Sequence, residues 1–248
     1  MSHLNTQAFV IKSLDWKDTS RIVTLFTREK GKISVIAKGA RRAKSQFQGI
    51  LESINLIEAS IYISENRQIQ VLGQVSLEES YQKIKKDYTK TAYIFAILEL
   101  TDIFFQKGAA DPVFFDFLTV IIQQMENVSD PRIVFWYFLL KIASYLGFRP
   151  EFDLCKNCSQ QKSGENVIFS VRDGAVICNA CGIRNYEGWT LSSESRSFLE
   201  LLQKTNHKKL DALTFNLVEN FSYTDFLISY LKHHSEEDLK MTALKMLK

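Results

Sequence analysis

The sequence predicts an α+β protein, in which a small closed β-barrel precedes a helical domain that carries a cysteine-bearing insertion. Three observations support this. Up to about residue 76 the apolar residues follow strand patterning, from about Tyr81 they recur at helical spacing, and all four cysteines fall in two close pairs. With 248 residues, 46% of them hydrophobic, the chain has enough apolar surface for a core that needs no disulfides.

The barrel strands come first. Residues 8–14, 21–27 and 32–38 are β-branched or aromatic runs, and Glu29-Lys30-Gly31 supplies a turn between the last two. Ile57, Ala59, Ile61 and Ile63 fall at alternate positions, the mark of a half-buried strand. Gln68-Ile69-Gln70-Val71 alternates again after a turn around Glu65-Asn66. Five strands in about 70 residues, with one wide gap between the third and fourth, suit a closed barrel. The OB-fold is the natural candidate, and an SH3-like barrel fits the same pattern.

Beyond Tyr81, the residues Tyr93, Ile97, Leu100 and Phe104 share one helical face. Asp111-Pro112 and Asp130-Pro131 each place an N-cap acid before a proline, whose missing N–H costs nothing at the first helical position. The second of these helices runs through Trp136 and Leu140 to Gly147, a C-cap, with Pro150 beyond. Ser192 or Ser193 caps a segment containing Phe198, Leu201 and Leu202. Ser222 with Asp225 resembles a capping box that opens residues 226–231.

Cys155-Lys156-Asn157-Cys158 and Cys178-Asn179-Ala180-Cys181 form two C-x2-C pairs separated by 19 residues. Two thiolates two residues apart reach one ion from a single tight turn, and two such turns complete a tetrahedron. Gly182 follows the second pair, as suits a knuckle that needs positive φ. Residues 167–177 between the pairs read as a hairpin turning at Asp173-Gly174. The spacing therefore predicts a zinc ribbon holding one ion per chain. Four thiolates would leave no coordination position for water or substrate, so the ion would be structural.

Net charge is only +3, but it is unevenly distributed. Residues 28–44 hold seven bases against one acid, whereas residues 45–80 hold one base against five acids. The cations Lys32, Lys38, Arg41, Arg42 and Lys44 thus cluster around the start of the long connection between strands three and four. Such cations can neutralise phosphates, and OB-folds use their faces and loops for single strands. Trp16, in a polar loop, and Phe47 are the aromatics that could stack bases, and each could equally serve as a core or lid residue. The four histidines lie in no ligand or nucleophile motif, and His233-His234 suits a helix C-terminus. Without a phosphate-binding loop or an acid pair, no catalytic residue is expected. The N-terminus lacks a basic region followed by an apolar run, and no stretch is long and apolar enough to span a bilayer, so the expected location is the cytoplasm.

These readings divide the chain into four parts. Residues 1–80 would form an OB-fold barrel that binds nucleic acid, single-stranded DNA first, 81–150 the first part of a helical domain, 151–184 the zinc ribbon, and 185–248 the rest of the helical domain. Another nucleic-acid module with barrel and ribbon, such as an RNA or transcription factor, is the alternative function.

Several motifs resemble one family. Arg21-Ile22-Val23-Thr24-Leu25-Phe26-Thr27-Arg28-Glu29-Lys30-Gly31-Lys32, followed by Lys38-Gly39-Ala40-Arg41-Arg42, is similar to the start of the RecO family of bacterial DNA-repair proteins. Leu146-Gly147-Phe148-Arg149-Pro150 leading to Cys155 and Cys158, then Phe169-Ser170 through Gly174 to Cys178 and Cys181, continue the likeness. The resemblance implies an N-terminal OB-fold, a helical domain and a zinc finger. It also implies a recombination mediator of the RecF pathway, associated with the nucleoid, that binds single- and double-stranded DNA and anneals complementary strands. Such a protein helps RecA displace single-strand-binding protein. RecR and the acidic C-terminal tail of single-strand-binding protein would be its partners.

Overall fold

A computed structural model describes residues 2–161, 165–181, 188–213 and 221–247. The chain divides into two compact units, residues 1–126 with 241–248, and residues 127–240.

The first unit opens with five strands, β1 (Ser2–Trp16), β2 (Ser20–Thr27), β3 (Gly31–Ala37), β4 (Leu56–Ile63) and β5 (Gln70–Glu79). They close in the order β1-β2-β3-β5-β4, with β1 returning antiparallel to β4 and β3 meeting β5 in a short parallel pair. A five-stranded barrel with this order is an OB-fold, which removes the SH3-like alternative. The alternate apolar residues point inward as their period demands. Val23, Leu25, Val35, Ile57, Ala59 and Ile61 are all buried in one core.

Two strands differ from their sequence reading. β1 begins six residues before the expected residue 8, because Ser2 to Phe9 are held by backbone pairing with β4 and need no apolar alternation. β5 starts at Gln70 and runs to Glu79, past the expected end at residue 71. A β-bulge interrupts its alternation. Ala59 pairs with Val75 and Ile61 with Leu72, so Ser60 alone opposes Gly73 and Gln74.

Three helices complete this unit, α1 (Gln82–Lys86), α2 (Tyr88–Phe104) and α3 (Pro112–Asn127, whose last residue falls in the second unit). Asp87 caps α2 by accepting from the Lys90 amide at 3.0 Å. An aromatic cluster joins these helices to one end of the barrel. Phe9 lies 5.3 Å from Phe115, and Phe26 lies 5.4 Å from Phe105 and 5.8 Å from Phe114, centroid to centroid. A 3-10 turn at Thr242–Leu247 returns to α2, where the Glu99 carboxylate accepts from the Thr242 and Ala243 amides.

The second unit contains α4 (Pro131–Tyr145), β6 (Glu151–Cys155), β7 (Val167–Ser170), β8 (Ala175–Ile177), β9 (Trp189–Leu191), α5 (Ser193–Lys204) and α6 (Tyr223–Ser235). The caps read from sequence are present. Asp130 accepts from the Arg132 amide, Ser192 from Ser195 and Ser222 from Asp225. Gly147 adopts φ 94 just after α4. The predicted hairpin is β7–β8, but it lies inside a four-stranded sheet of order β6-β8-β7-β9. Phe169 explains the larger sheet. It packs 5.1 Å from Phe226 and 5.5 Å from Tyr230 of α6, and Phe152 of β6 and Trp189 of β9 flank the same helix. Gly174, at φ 66 in the hairpin turn, sits so close to Tyr230 that a Cβ would meet its hydroxyl at 2.8 Å.

Among the described residues, no helix is long and apolar enough to cross a membrane.

Candidate nucleic-acid interface and metal centre

The β3–β4 connection, residues 38–55, is a loop with an apolar underside and a cationic top. Ala40, Phe47 and Leu51 enter the barrel core and fix its path. Phe47, read from sequence as one of two stacking candidates, is only 4% exposed, so it is a core anchor and not a platform for bases. Gly39 takes φ 74 at the loop's start, and Asn55 closes its end by donating to the carbonyls of Gly49 and Ile50. Lys38, Arg41, Arg42 and Lys44 project outward and are exposed.

The cations differ in what holds them. Arg41 is tied to the β1–β2 turn. Its amide donates to the Thr19 carbonyl at 2.9 Å, its guanidinium to the Lys17 carbonyl at 3.1 Å, and its Nε lies 3.2 Å from the Asp15 carboxylate. Asp15 also holds Arg21 at 3.1 Å, so one acid faces two guanidinium groups. Among the described residues no acid pairs with Lys38, Arg42 or Lys44. Trp16, read from sequence as a loop residue, is the last residue of β1, paired with Ser20 and directly before the turn that Arg41 grips, and it is 46% exposed. The fold therefore brings Trp16 and the loop arginines to one end of the barrel.

Lys32 stands apart from this group. Its ammonium is 3.0 Å from Asp102 on α2 and also donates to the Asp102 carbonyl, and the side chain is only 13% exposed. An ammonium so engaged holds strand to helix and offers little to a phosphate. Sequence reasoning missed Asp15 and Arg21 as neighbours of Arg41. No local motif links them, because barrel pairing alone brings residue 15 beside residue 21 and the loop.

In the second unit the four cysteine sulfurs all lie within 4.8 Å of one another. Tight turns produce this convergence. Ser159 N–H donates to the Cys155 carbonyl at 2.8 Å, Cys181 N–H to the Cys178 carbonyl at 3.1 Å, and Cys178 N–H to the Cys155 sulfur at 3.3 Å. Cys158 and Cys178 sulfurs are 3.8 Å apart. A tetrahedron with metal–sulfur bonds of about 2.3 Å has edges of about 3.8 Å, so the donor set fits one ion of zinc's size.

Electrostatics agrees with this fit. Burial works against a thiolate at Cys155 but is outweighed by the amides of Cys178, Cys158 and Asn157, which bring its pKa down to about 6. Cys181 is pushed up to about 12, first by hydrogen bonds to the Cys158 and Cys178 sulfurs. Four sulfurs this close cannot all carry charge unless a cation sits among them. Gly182, expected to complete the second knuckle, lies outside the described residues.

These features define a class, an OB-barrel protein with a cationic loop and a second unit built around a four-thiol knuckle. Residues 1–81 match the family description "Recombination protein O N terminal", and residues 85–243 match "Recombination protein O C terminal". A DNA repair protein RecO of Desulfitobacterium hafniense (strain DSM 10664 / DCB-2) is 30% identical over 219 residues, covering 87% of this chain and 79% of the relative. One from Caldanaerobacter subterraneus subsp. tengcongensis is 28% identical over 248 residues, covering 99% and 98%. One from Bacillus cytotoxicus is 33% identical over 172 residues, covering 69% and 68%. The chain belongs to the RecO family of DNA repair proteins, and its role lies in DNA repair and recombination.

Proposed function

We propose that this chain is a non-enzymatic recombination mediator. It binds single-stranded DNA through the β3–β4 loop, anneals complementary strands, and with RecR helps load RecA onto DNA coated by single-strand-binding protein. The observation that carries this reading is the row of exposed, acid-free cations Lys38, Arg42 and Lys44, with Arg41 anchored among them. Annealing on such a surface needs no bond chemistry. Cations that hold one strand reduce its phosphate repulsion against a second, and base pairing completes the step.

If Lys38, Arg41, Arg42 and Lys44 each neutralise about one phosphate, log K falls with log salt at a slope of roughly −3, at about 0.7 per single-strand contact. Trp16 would stack a base beside them. In this reading Lys32 supports the barrel, because its charge is already taken by Asp102. Double-stranded DNA binds the same cations through its phosphates.

The metal is zinc, one per chain, held by Cys155, Cys158, Cys178 and Cys181. When bound it supplies charge to the four thiolates and stiffness to the ribbon, not a reactive centre. The division of labour follows the four sequence segments, with residues 1–80 for DNA, 151–184 for zinc, and 81–150 and 185–248 for protein partners. The apolar helical segments take the acidic tail of single-strand-binding protein.

The deciding experiment is annealing of complementary strands coated with single-strand-binding protein. Wild type is compared with Arg41→Ala/Arg42→Ala, and intact single-strand-binding protein with its tailless form. Faster annealing that depends on both the arginines and the tail is expected. Annealing no faster than the spontaneous rate would overturn the proposal.

A further inference from the structure

The barrel carries a groove of about 590 Å³ that the cationic loop borders but that charge alone does not explain. Its walls come from the start of β1, from β4 and β5, and from the β3–β4 loop. Tyr62 occupies an outward position on β4 and is 48% exposed. That ring lies against Gly73, where a Cβ would come within 2.9 Å of its Cε2 atom, so glycine is needed to admit it. His3 sets its ring edge-on, 5.3 Å from Tyr62 and at 67° to it.

Apart from the buried Phe47 and Leu72 at its floor, the rest of the lining is mostly polar, and none of it is acidic. Gln46 crosses the groove to donate to the Gly73 carbonyl at 3.3 Å, Gln74 lines the same wall, and Lys38 stands at the rim. The absence of acids is notable because residues 45–80 hold five. The bulge in β5 falls here, with Ser60 opposite Gly73 and Gln74. Bulges re-aim side chains at sites, and this one places the glycine under Tyr62 and Gln74 beside it.

An exposed aromatic face, neutral amides and one cation at the edge match the needs of an unpaired nucleobase with its phosphate. The ring stacks, the amides reach base edges, and the ammonium meets the backbone. We propose that this groove is a base-stacking subsite, in which an unpaired base lies on Tyr62 while Lys38 takes the adjoining phosphate. The inference rests on reading the chain as a binder of single-stranded DNA and adds a strand path leading from the loop across β4 and β5. A subsite of this kind also separates single strands from duplex, whose bases are already stacked and present no free face.

The test compares a thymidine oligonucleotide with an abasic one of equal length and charge, titrated against the full-length chain. Wild type is expected to prefer the base-bearing strand by about tenfold. Tyr62→Ala and Tyr62→Leu should remove most of that preference without changing the salt slope, leaving what stacking on Trp16 supplies, and Tyr62→Phe should keep it. The leucine variant still covers Gly73 but has no π-face, so it separates stacking from folding. Wild type binding both strands alike, or Tyr62→Leu keeping the full preference, would overturn the subsite while leaving DNA binding intact. Failure to bind either strand would overturn the underlying reading as well.

Discussion

In the β3–β4 loop the apolar residues Ala40, Phe47 and Leu51 are buried, and the charged ends of Lys38, Arg42 and Lys44 stand in solvent. In the cysteine knuckle the donor atoms themselves turn inward. Cys155 and Cys178 are buried, and backbone amides already serve their turns and the Cys155 sulfur. Both regions are built from short sequence motifs, yet the loop keeps its chemistry available to a partner while the knuckle encloses it. The difference suggests that losing the knuckle should cost structure, and losing the loop's charge should cost binding.

The largest effect is expected from Cys178→Ser, which removes a fully buried donor. Metal affinity of a structural site is folding free energy, about 10 kcal/mol or more, and one lost ligand forfeits much of it. Elemental analysis should fall from about one metal per chain toward zero, and proteolysis should open residues 151–191, with the DNA salt slope unchanged. A variant with full metal content would contradict the four-thiolate site.

Arg41→Ala/Arg42→Ala should do the reverse. The salt slope should flatten by about 1.4 for two lost contacts, and affinity should fall for every sequence alike, with little change in melting temperature. Lys32→Ala, at the far end of β3 from the loop, should cost stability and not binding. It removes the cation from Asp102 and should cost about 1–3 kcal/mol in denaturant unfolding while leaving the slope alone. A flattened slope would return Lys32 to the DNA path. The smallest effect is expected from Asp15→Asn. Freed from their shared acid, Arg21 and Arg41 should steepen the slope by up to about 0.7, because an exposed ion pair resists competition only weakly.

Much of this was legible in the residues. Helix starts at Asp130, Ser192 and Ser222 follow from capping chemistry that acts within one turn. The convergence of the four cysteines was legible for the same reason, since each C-x2-C pair is local and only two turns had to meet. What escaped depends on distant pairing. The first six residues of β1 carry no apolar alternation because β4 holds them, and the bulge at Gly73-Gln74 breaks the alternation that would have extended β5. Tyr62 was within reach. With Ile57, Ala59 and Ile61 inward, period two places it outside, and a large exposed aromatic on a barrel wall invites a question about function. Nothing local announced the pairs Lys32–Asp102 or Arg41–Asp15, which join residues that only the folded barrel and its helices bring together.

Closure of the barrel by the paired stretch from Ser2 to Phe9 also bears on solubility. Were those residues trimmed away, β4 would be left with a raw row of amides and carbonyls, open to any passing strand. The polar opening segment therefore works as a seal against self-association, and truncated or badly tagged preparations should aggregate before they lose their helices.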